Sequence, residues 1–312
     1  MAAIKDFTRT IELSPGYASA YYNRGSVEQG LTNYTASITD LSKAIKLQPD
    51  FPDAYNMRGL AKWYLKDYSG TISDCTEAIE LNSNSWAAYY NRGLAKYDLK
   101  DYSAGIIDFG KCIELNPRCE EAYFNRGYAK YHLKDYKGAI VDFNKQIEIN
   151  PKDASAFAYL GYIQSDLFQF HPALNNFQKA LQLDPSGTEY RFRIWLIRSR
   201  LDDMLGASYD LNNHLRSLKE KKMTWTTAVG FFLVGSFYEN NFLDCAKLED
   251  NKTRIWWQCR ANYYAGMKHL ISGDKVGAMG FFQECLNTKE TNLVEYMSAE
   301  AEFNALKKIM PP

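Results

Sequence analysis

The sequence predicts an all-α protein in which helical hairpins stack along the chain, and two periodic features carry that prediction. A glycine recurs every 34 residues over the first half of the chain, at Gly25, Gly59, Gly93, Gly127 and Gly161. A proline keeps the same interval, at Pro15, Pro49, Pro117, Pro151 and Pro185, and Ser83 alone replaces it. A fixed period of roughly 20–50 residues is typical of stacked supersecondary units. Stacked repeats usually present a groove, so the sequence favours a binding surface over an active site.

Each 34-residue block is predicted to be helix A, a short turn, helix B and a closing proline. In the clearest copy, Gly93 and Tyr97 belong to helix A, while Ile106 and Phe109 follow at helical spacing in helix B. Pro117 ends helix B because a residue before proline avoids the α region. The predicted repeats span 18–51, 52–85, 86–119, 120–153 and 154–185. An aromatic residue recurs in the turn (Tyr34, Tyr68, Tyr102, Tyr136 and Phe170), where we expect it to fill the junction between hairpins.

The motif set of these blocks resembles the tetratricopeptide repeat (TPR), a 34-residue helix–turn–helix unit. An aromatic, Gly, Ala, a second aromatic, Ala and Pro recur at fixed offsets over five consecutive blocks. The resemblance implies a right-handed superhelix with the A helices on its concave side. It also implies a protein that binds protein or peptide partners.

An arginine and an aspartate recur sixteen residues apart inside the repeats. The pairs are Arg24 with Asp40, Arg58 with Asp74, Arg92 with Asp108, and Arg126 with Asp142. In the fifth block both positions change together, to Leu160 and Asn176. The joint change predicts that the two positions touch and form a structural ion pair across the hairpin, although arginines that bind a ligand are an alternative. Lys62, Lys96 and Lys130 are expected to be solvated charges at the rim.

Both ends of the chain depart from the repeat. Residues 1–17 match a helix B without its helix A, so we expect the sequence to begin within a truncated repeat. Residues 186–223 are predicted to form a degenerate TPR-like hairpin. Residues 224–312 are predicted to form a C-terminal helical module, with one buried helix over 224–240, a TPR-like hairpin over 259–290 and a closing helix.

The C-terminal part resembles the NlpI group of bacterial TPR lipoproteins. The resemblance lies in the run that starts at Arg193, in Trp225, in the Tyr263-Tyr-Ala-Gly segment and in the Thr291-Asn-Leu-Val-Glu-Tyr segment. It implies a homodimeric adaptor that is anchored to the outer membrane, faces the periplasm and brings a protease to cell-wall hydrolases. A cytoplasmic location is the alternative.

A stripe along the A helices is the candidate binding groove. Positions at i, i+3, i+4 and i+7 of these helices give aromatic and amide side chains and almost no charge. They are Tyr22, Asn23, Asn56, Trp63, Tyr90, Asn91, Tyr97, Phe124, Asn125, Tyr128, Tyr131, Tyr159 and Tyr162. Because an asparagine offers both a donor and an acceptor, a row of them can hold the backbone of a peptide. The alternatives are that the asparagines bond within the hairpin and that the rings belong to the core.

Composition and motifs argue against several other classes of function. The 37 lysines and arginines balance the 37 aspartates and glutamates, which disfavours nucleic acid as a partner. No apolar run reaches the ~18 residues of a transmembrane helix. The six cysteines include no CxxC pair and are expected to be core thiols, with Cys119 more exposed than the rest; we predict no metal and no cofactor.

No zinc-protease, phosphate-loop or serine-nucleophile motif is present, so we predict a protein without enzymatic activity. The predicted function is a scaffold or adaptor that binds a protein or peptide in the groove. A structural protein that assembles with itself is the alternative.

Overall fold

The computed structural model describes residues 2–218, 224–247 and 253–310. These residues form 18 helices and no strand, which confirms the prediction of an all-α fold of stacked helical repeats. The chain divides into two compact units, 1–149 (unit 1) and 150–312 (unit 2). The fifth predicted repeat therefore belongs to unit 2.

Unit 1 consists of one single helix followed by four helical hairpins. Its helices are α1 (Ala2–Leu13), α2 (Ala18–Gly30), α3 (Tyr34–Leu47), α4 (Pro52–Tyr64), α5 (Tyr68–Leu81), α6 (Trp86–Asp98), α7 (Tyr102–Leu115), α8 (Glu120–His132) and α9 (Tyr136–Ile149). The A helices are α2, α4, α6 and α8, and the first helix, α1, packs on α2 as a helix B would. Within residues 2–149 the main packing is between helices adjacent in the chain and between successive A helices.

Unit 2 begins with a regular hairpin and then becomes irregular. Its helices are α10 (Ala154–Asp166), α11 (Phe170–Leu183), α12 (Thr188–Arg200), α13 (Met204–Ser217), α14 (Trp225–Leu233), α15 (Glu239–Cys245), α16 (Arg254–Ile271), α17 (Lys275–Asn287) and α18 (Val294–Ile309). The expectation of one helix over 224–240 is wrong. The chain leaves α14 after Leu233 and turns at Gly235, whose φ of +79° lies in the left-handed region.

The recurrent glycines permit close contact between the two helices of a hairpin. A Cβ atom on Gly93 would lie 2.8 Å from the ring of Phe109, and one on Gly266 would lie 2.6 Å from the ring of Phe282. Both rings are fully buried. The period of 34 therefore marks the place where a buried helix B side chain packs against the helix A backbone: Leu41 and Cys75 in the first two repeats, and a phenylalanine ring in the next three.

The turns between helix A and helix B contain a second periodic feature. The residue two positions before helix B has a positive φ, between 59° and 64°, in six successive hairpins: Thr32, Lys66, Lys100, Lys134, Phe168 and Asp202. A left-handed conformation costs a residue other than glycine about 1–2 kcal/mol. The corresponding residue of the α16–α17 turn is Gly273, at +89°.

Three of the five turn aromatics fill the junctions between hairpins, as expected. Tyr34 stacks on Tyr64 with ring centroids 4.5 Å apart, and Tyr102 stacks on His132 at 4.9 Å. In unit 2 the guanidinium of Arg200 lies 4.5 Å from the ring centre of Phe170. Each contact joins residues 30 positions apart, so a turn packs against the end of the next helix A.

The cysteines are free thiols, and all except the half-buried Cys245 are buried. The expectation that Cys119 is more exposed is wrong, because only 6% of its surface is accessible where it packs beside Cys112 and Ala122. Burial raises the pKa of Cys75 to about 12, so this thiol stays protonated near neutral pH.

Candidate protein-binding face

The recurrent arginine of unit 1 is held by several partners at once. The Nε and Nη2 atoms of Arg92 donate to the two oxygens of Asp108 at 2.9 and 2.8 Å, and Lys96 Nζ lies 2.7 Å from the same carboxylate. Nη1 of Arg92 donates to the hydroxyl of Thr76 in the preceding helix B at 3.1 Å. The guanidinium also lies 5.5 Å from the ring centre of Tyr89. We call this arrangement the arginine node.

The ion pair of the arginine node recurs in all four hairpins of unit 1, whereas the lysine joins three nodes and the hydroxyl joins three. The other ion pairs are Arg24–Asp40, Arg58–Asp74 and Arg126–Asp142, and each aspartate is buried. Lys62 and Lys130 join the second and fourth nodes, so the lysines are not merely solvated rim charges. Sequence reasoning missed this role, although their fixed distance of 12 residues from the aspartate was a usable signal. In the fifth hairpin Asn176 donates to Gln164 at 2.7 Å, with the same spacing.

The A-helix stripe of unit 1 is the first candidate face. We call it the unit-1 face, and it consists of Tyr22, Asn23, Asn56, Trp63, Tyr90, Asn91, Tyr97, Phe124, Asn125 and Tyr128. Most of these side chains are half-buried, whereas Asn23 is exposed. No helix of unit 1 crosses this face within residues 2–149.

The asparagines of the unit-1 face bind neighbouring A helices. Asn91 Nδ2 donates to Asn56 Oδ1 at 2.9 Å, and Asn125 Nδ2 donates to the Tyr90 hydroxyl at 3.1 Å. Trp63 Nε1 donates to the carboxylate of Asp98 at 2.6 Å. All three bonds join residues 35 positions apart. Asn91 is also only 5% exposed, so this amide holds adjacent repeats together instead of clamping a peptide.

The half-buried rings of the unit-1 face pack against one another. Tyr97 and Tyr128 lie 5.5 Å apart between centroids, and Phe124 lies 6.1 Å from Tyr128. Burial raises the pKa of Tyr97, so its hydroxyl remains neutral at physiological pH. Tyr131 is a correction: it has no accessible surface, and its ring packs 5.9 Å from Tyr136 of the same hairpin.

The corresponding stripe of unit 2 is covered. Tyr162 is 6% exposed, which removes it from the accessible groove residues, and Tyr159 is half-buried with its ring 5.6 Å from that of Tyr162. The guanidinium of Arg193 lies 4.8 Å from the Tyr162 ring centre. Arg193 stands at the repeat position of Asn91 and Asn125, so an arginine replaces the amide here.

The closing helix α18 lies on this stripe and binds it through acidic side chains. Glu295 accepts from Arg260 Nε at 3.2 Å and lies 3.8 Å from Arg193 Nη2. Two helical turns later, Glu302 pairs with Arg200. We call the covered stripe the unit-2 face: Tyr162, Asp166, Arg193, Arg200, Arg260 and Tyr263.

Hydrogen bonds complete the contact between α18 and the unit-2 face. Ser298, between the two glutamates, donates to Asp166 at 2.8 Å, and Arg193 Nη1 donates to the Tyr263 hydroxyl at 2.6 Å. Burial alone would raise the pKa of Glu295, but Arg260 and Arg193 hold it below its ordinary value. Sequence reasoning missed this network; the spacing of 295, 298 and 302 along one helix stripe was the available signal.

The comparisons with known proteins concern the repeats. A family model described as TPR repeat matches residues 32–65, and one described as tetratricopeptide repeat matches 87–119 and 120–153. The chain contains tetratricopeptide repeats. Such repeats are typical of scaffolds for protein–protein interaction and are typically not enzymatic. Comparison with curated proteins gives no match.

Several solved TPR structures are similar in fold. YrrB, described as a TPR protein with an unusual peptide-binding site, is 21% identical, with a TM-score of 0.52 over 59% of this chain and 95% of its own. MamA from Desulfovibrio magneticus RS-1 is 19% identical, with a TM-score of 0.51 over 55% and 96%. PilF from Pseudomonas aeruginosa is 16% identical, with a TM-score of 0.55 over 64% and 92%.

The described residues contain neither a candidate metal cluster nor a candidate membrane-spanning helix. In residues 2–218, 224–247 and 253–310, no group of three or more His, Cys, Asp or Glu side chains could hold a metal ion. None of the helices formed by those residues combines the length and the apolar character needed to span a membrane.

Proposed function

We propose that the unit-1 face binds a segment of a partner protein and that the chain serves as a scaffold without catalytic activity. The observation that carries the proposal is the contrast between the two faces. The unit-2 face is occupied by α18, whereas no helix of unit 1 covers the unit-1 face. Half-buried aromatic rings at that position supply broad contact area at low cost in side-chain entropy.

The chemistry of the unit-1 face favours an apolar segment. The recurrent arginines and lysines are held in the nodes, so they are not available to grip a carboxylate. The nearby acidic side chain of Asp98 already accepts from Trp63. A helical segment with apolar residues at i, i+3 and i+4 fits such a face, in contrast to α18, which binds the charged unit-2 face through Glu295 and Glu302.

A selection for peptides that bind the purified chain, followed by calorimetry, tests the proposal. The face variant is Trp63→Ala with Phe124→Ala. The control is Ile107→Ser with Val141→Ser, because these residues are 71% and 65% exposed on helices α7 and α9, away from the face. We expect the face variant to weaken binding of a selected peptide at least tenfold, while the control leaves binding unchanged. Equal affinity for both variants would remove the unit-1 face as the binding site.

Self-association is the second candidate function. Exposed apolar side chains on the B helices, including Ile107 and Val141, favour it. Analytical ultracentrifugation over a wide concentration range separates the two proposals. Assembly that grows with concentration and is abolished by the Ile107→Ser/Val141→Ser pair supports self-association. A single oligomeric state that binds peptide supports the scaffold.

A setting in the bacterial cell envelope is a further part of the proposal and depends on the NlpI-type resemblance of the C-terminal part. It predicts that an envelope protease or a cell-wall hydrolase binds the unit-1 face and that the chain forms a homodimer. Fractionation of source cells with an antibody to this chain tests the location. Recovery in the cytoplasm alone would remove the envelope part and leave the scaffold proposal intact.

A further inference from the structure

The hairpin of α12 and α13 lacks the arginine node. Two repeat periods after Arg126, the arginine position is occupied by Ile194, and two periods after Tyr123 the tyrosine position is occupied by Arg191. The aspartate position is retained as Asp210. The apolar Ile194 cannot reach this carboxylate with a hydrogen bond, so the volume that a tyrosine and an arginine fill in unit 1 is occupied differently here.

A cavity of about 430 Å³ lies at this place, between α11, α12 and α13. Its apolar lining includes Leu181, Ile194 and Leu211, and its polar lining includes Arg191, Asp210 and His214. The volume lies in the range of sites for small organic molecules, roughly 300–1,000 Å³. The site is separate from the unit-2 face, because no residue of that face lines it.

Arg191 brings an uncompensated charge to the cavity. Its Nε atom is buried and has no hydrogen-bond partner among the described residues, while Nη2 donates to the carbonyl of Pro185 at 3.2 Å. A buried donor without a partner is costly, so such a group points to a ligand. Burial lowers the pKa of Arg191.

Arg191 is the cation of the lining that no carboxylate binds within the described residues. Arg198 is neutralised, because it binds Asp203 at 2.7 Å and Asp210 at 2.5 Å. Burial and the charge of Arg191 lower the pKa of His214, which keeps this imidazole neutral near pH 7. A single negative charge carried on an apolar body complements this lining.

We propose that the cavity between α11, α12 and α13 binds a small organic monocarboxylate. The carboxylate pairs with the guanidinium of Arg191, and the apolar body lies against Leu181, Ile194 and Leu211. An arginine fork matches the planar geometry of a carboxylate better than a lysine does.

Isothermal titration calorimetry and ligand-observed NMR with 4-phenylbutyrate test the proposal on the full chain. We expect the carboxylate to bind and its neutral amide to bind at least tenfold more weakly. The dipeptide N-acetyl-Phe-Leu, with and without a C-terminal amide, shows whether a peptide terminus can supply the same group. Absence of binding at millimolar probe, or equal binding of acid and amide, would overturn the proposal.

Matched variants locate the binding. Arg191→Gln should weaken the 4-phenylbutyrate affinity roughly ten- to hundredfold. Arg216→Gln removes the same charge from an exposed residue of α13 and should leave the affinity unchanged. The double variant Arg191→Tyr/Ile194→Arg rebuilds the node of unit 1 with Asp210, so it should remain folded and lose the ligand. Retained affinity in Arg191→Gln or in the folded double variant contradicts the proposal.

Discussion

Unit 1 and unit 2 use arginine in opposite ways. In unit 1 the recurrent arginines bind an aspartate of their own hairpin and leave the A-helix stripe uncharged. In unit 2, Arg193, Arg200 and Arg260 stand on the A-helix stripe itself and bind the glutamates of α18. The difference teaches that one repeat scaffold can be left accessible or closed by its own helix, according to the helical positions that carry the charge.

Removal of the Glu295 carboxylate should weaken the contact between α18 and the unit-2 face, and it should cause the largest loss in the free energy of unfolding. Glu295→Ala leaves Arg193 buried without its carboxylate, while Arg260 keeps its pair with Glu189, so we expect a loss of about 3 kcal/mol in the free energy of unfolding. Urea unfolding followed by circular dichroism measures it, and hydrogen exchange should show faster exchange in α18. The control Glu284→Ala removes an exposed charge from α17 and should cost under about 0.5 kcal/mol. A loss below about 1 kcal/mol for Glu295→Ala would contradict the account of α18.

Substitutions in the arginine nodes of unit 1 should cause the next largest loss in the free energy of unfolding. Asp108 is 2% exposed and binds two cations, so Asp108→Ala should cost about 3 kcal/mol in unit 1. Asp40→Ala should cost less, since no lysine joins the first node. Asn176→Ala in the neutral fifth hairpin should cost about 1 kcal/mol. The same urea series measures all three, and equal losses would show that the charges of the nodes add nothing to stability.

A smaller effect of opposite sign is expected in the turns. Lys100→Gly relieves about 1–2 kcal/mol of left-handed strain, partly offset by the larger entropy of an unfolded glycine. The net stabilisation should be about 0.5 kcal/mol, seen as a higher melting temperature. Lys43→Gly, at an exposed site inside α3, should instead destabilise by about 1 kcal/mol. A lower melting temperature for Lys100→Gly would contradict the left-handed turn.

The smallest effect is a pH dependence confined to unit 2. Burial alone would lower the pKa of His269, but hydrogen bonds to Asp274 and Glu239 raise it above its ordinary 6.5. Protonated His269 therefore stabilises the fold below pH 6.5, and this contribution is lost as the pH rises through the folded pKa. The protection of α16 against hydrogen exchange, taken relative to the intrinsic exchange rate at each pH, should fall over that range in the wild type but not in His269→Asn. Identical pH profiles would exclude His269 as the source.

Much of the fold was predictable because the repeat imposes local rules on the sequence. The 34-residue period predicts the hairpins, and the joint change at Leu160 and Asn176 predicts the contact between helices A and B. The contacts that the sequence did not reveal join distant elements. The approach of α18 to Arg193 depends on how an irregular tail folds back, which no period encodes. The spacing of Asn91 predicts a peptide clamp, because spacing along the sequence does not show that Asn56 accepts a hydrogen bond from its amide.

In three of the four arginine nodes the arginine donates a hydrogen bond to the preceding helix B, and this bond affects the cooperativity of unit 1. Arg24, Arg58 and Arg92 each donate to a hydroxyl in the preceding helix B, on Thr8, Ser42 and Thr76. Gly110 stands at the fourth such position and has no hydroxyl to offer Arg126. In a linear array, stability is a sum of repeat terms and nearest-neighbour terms. The interface between the third and fourth hairpins thus lacks one hydrogen bond that the earlier interfaces have, so its nearest-neighbour free energy is smaller. Partial unfolding of the array should begin at that interface.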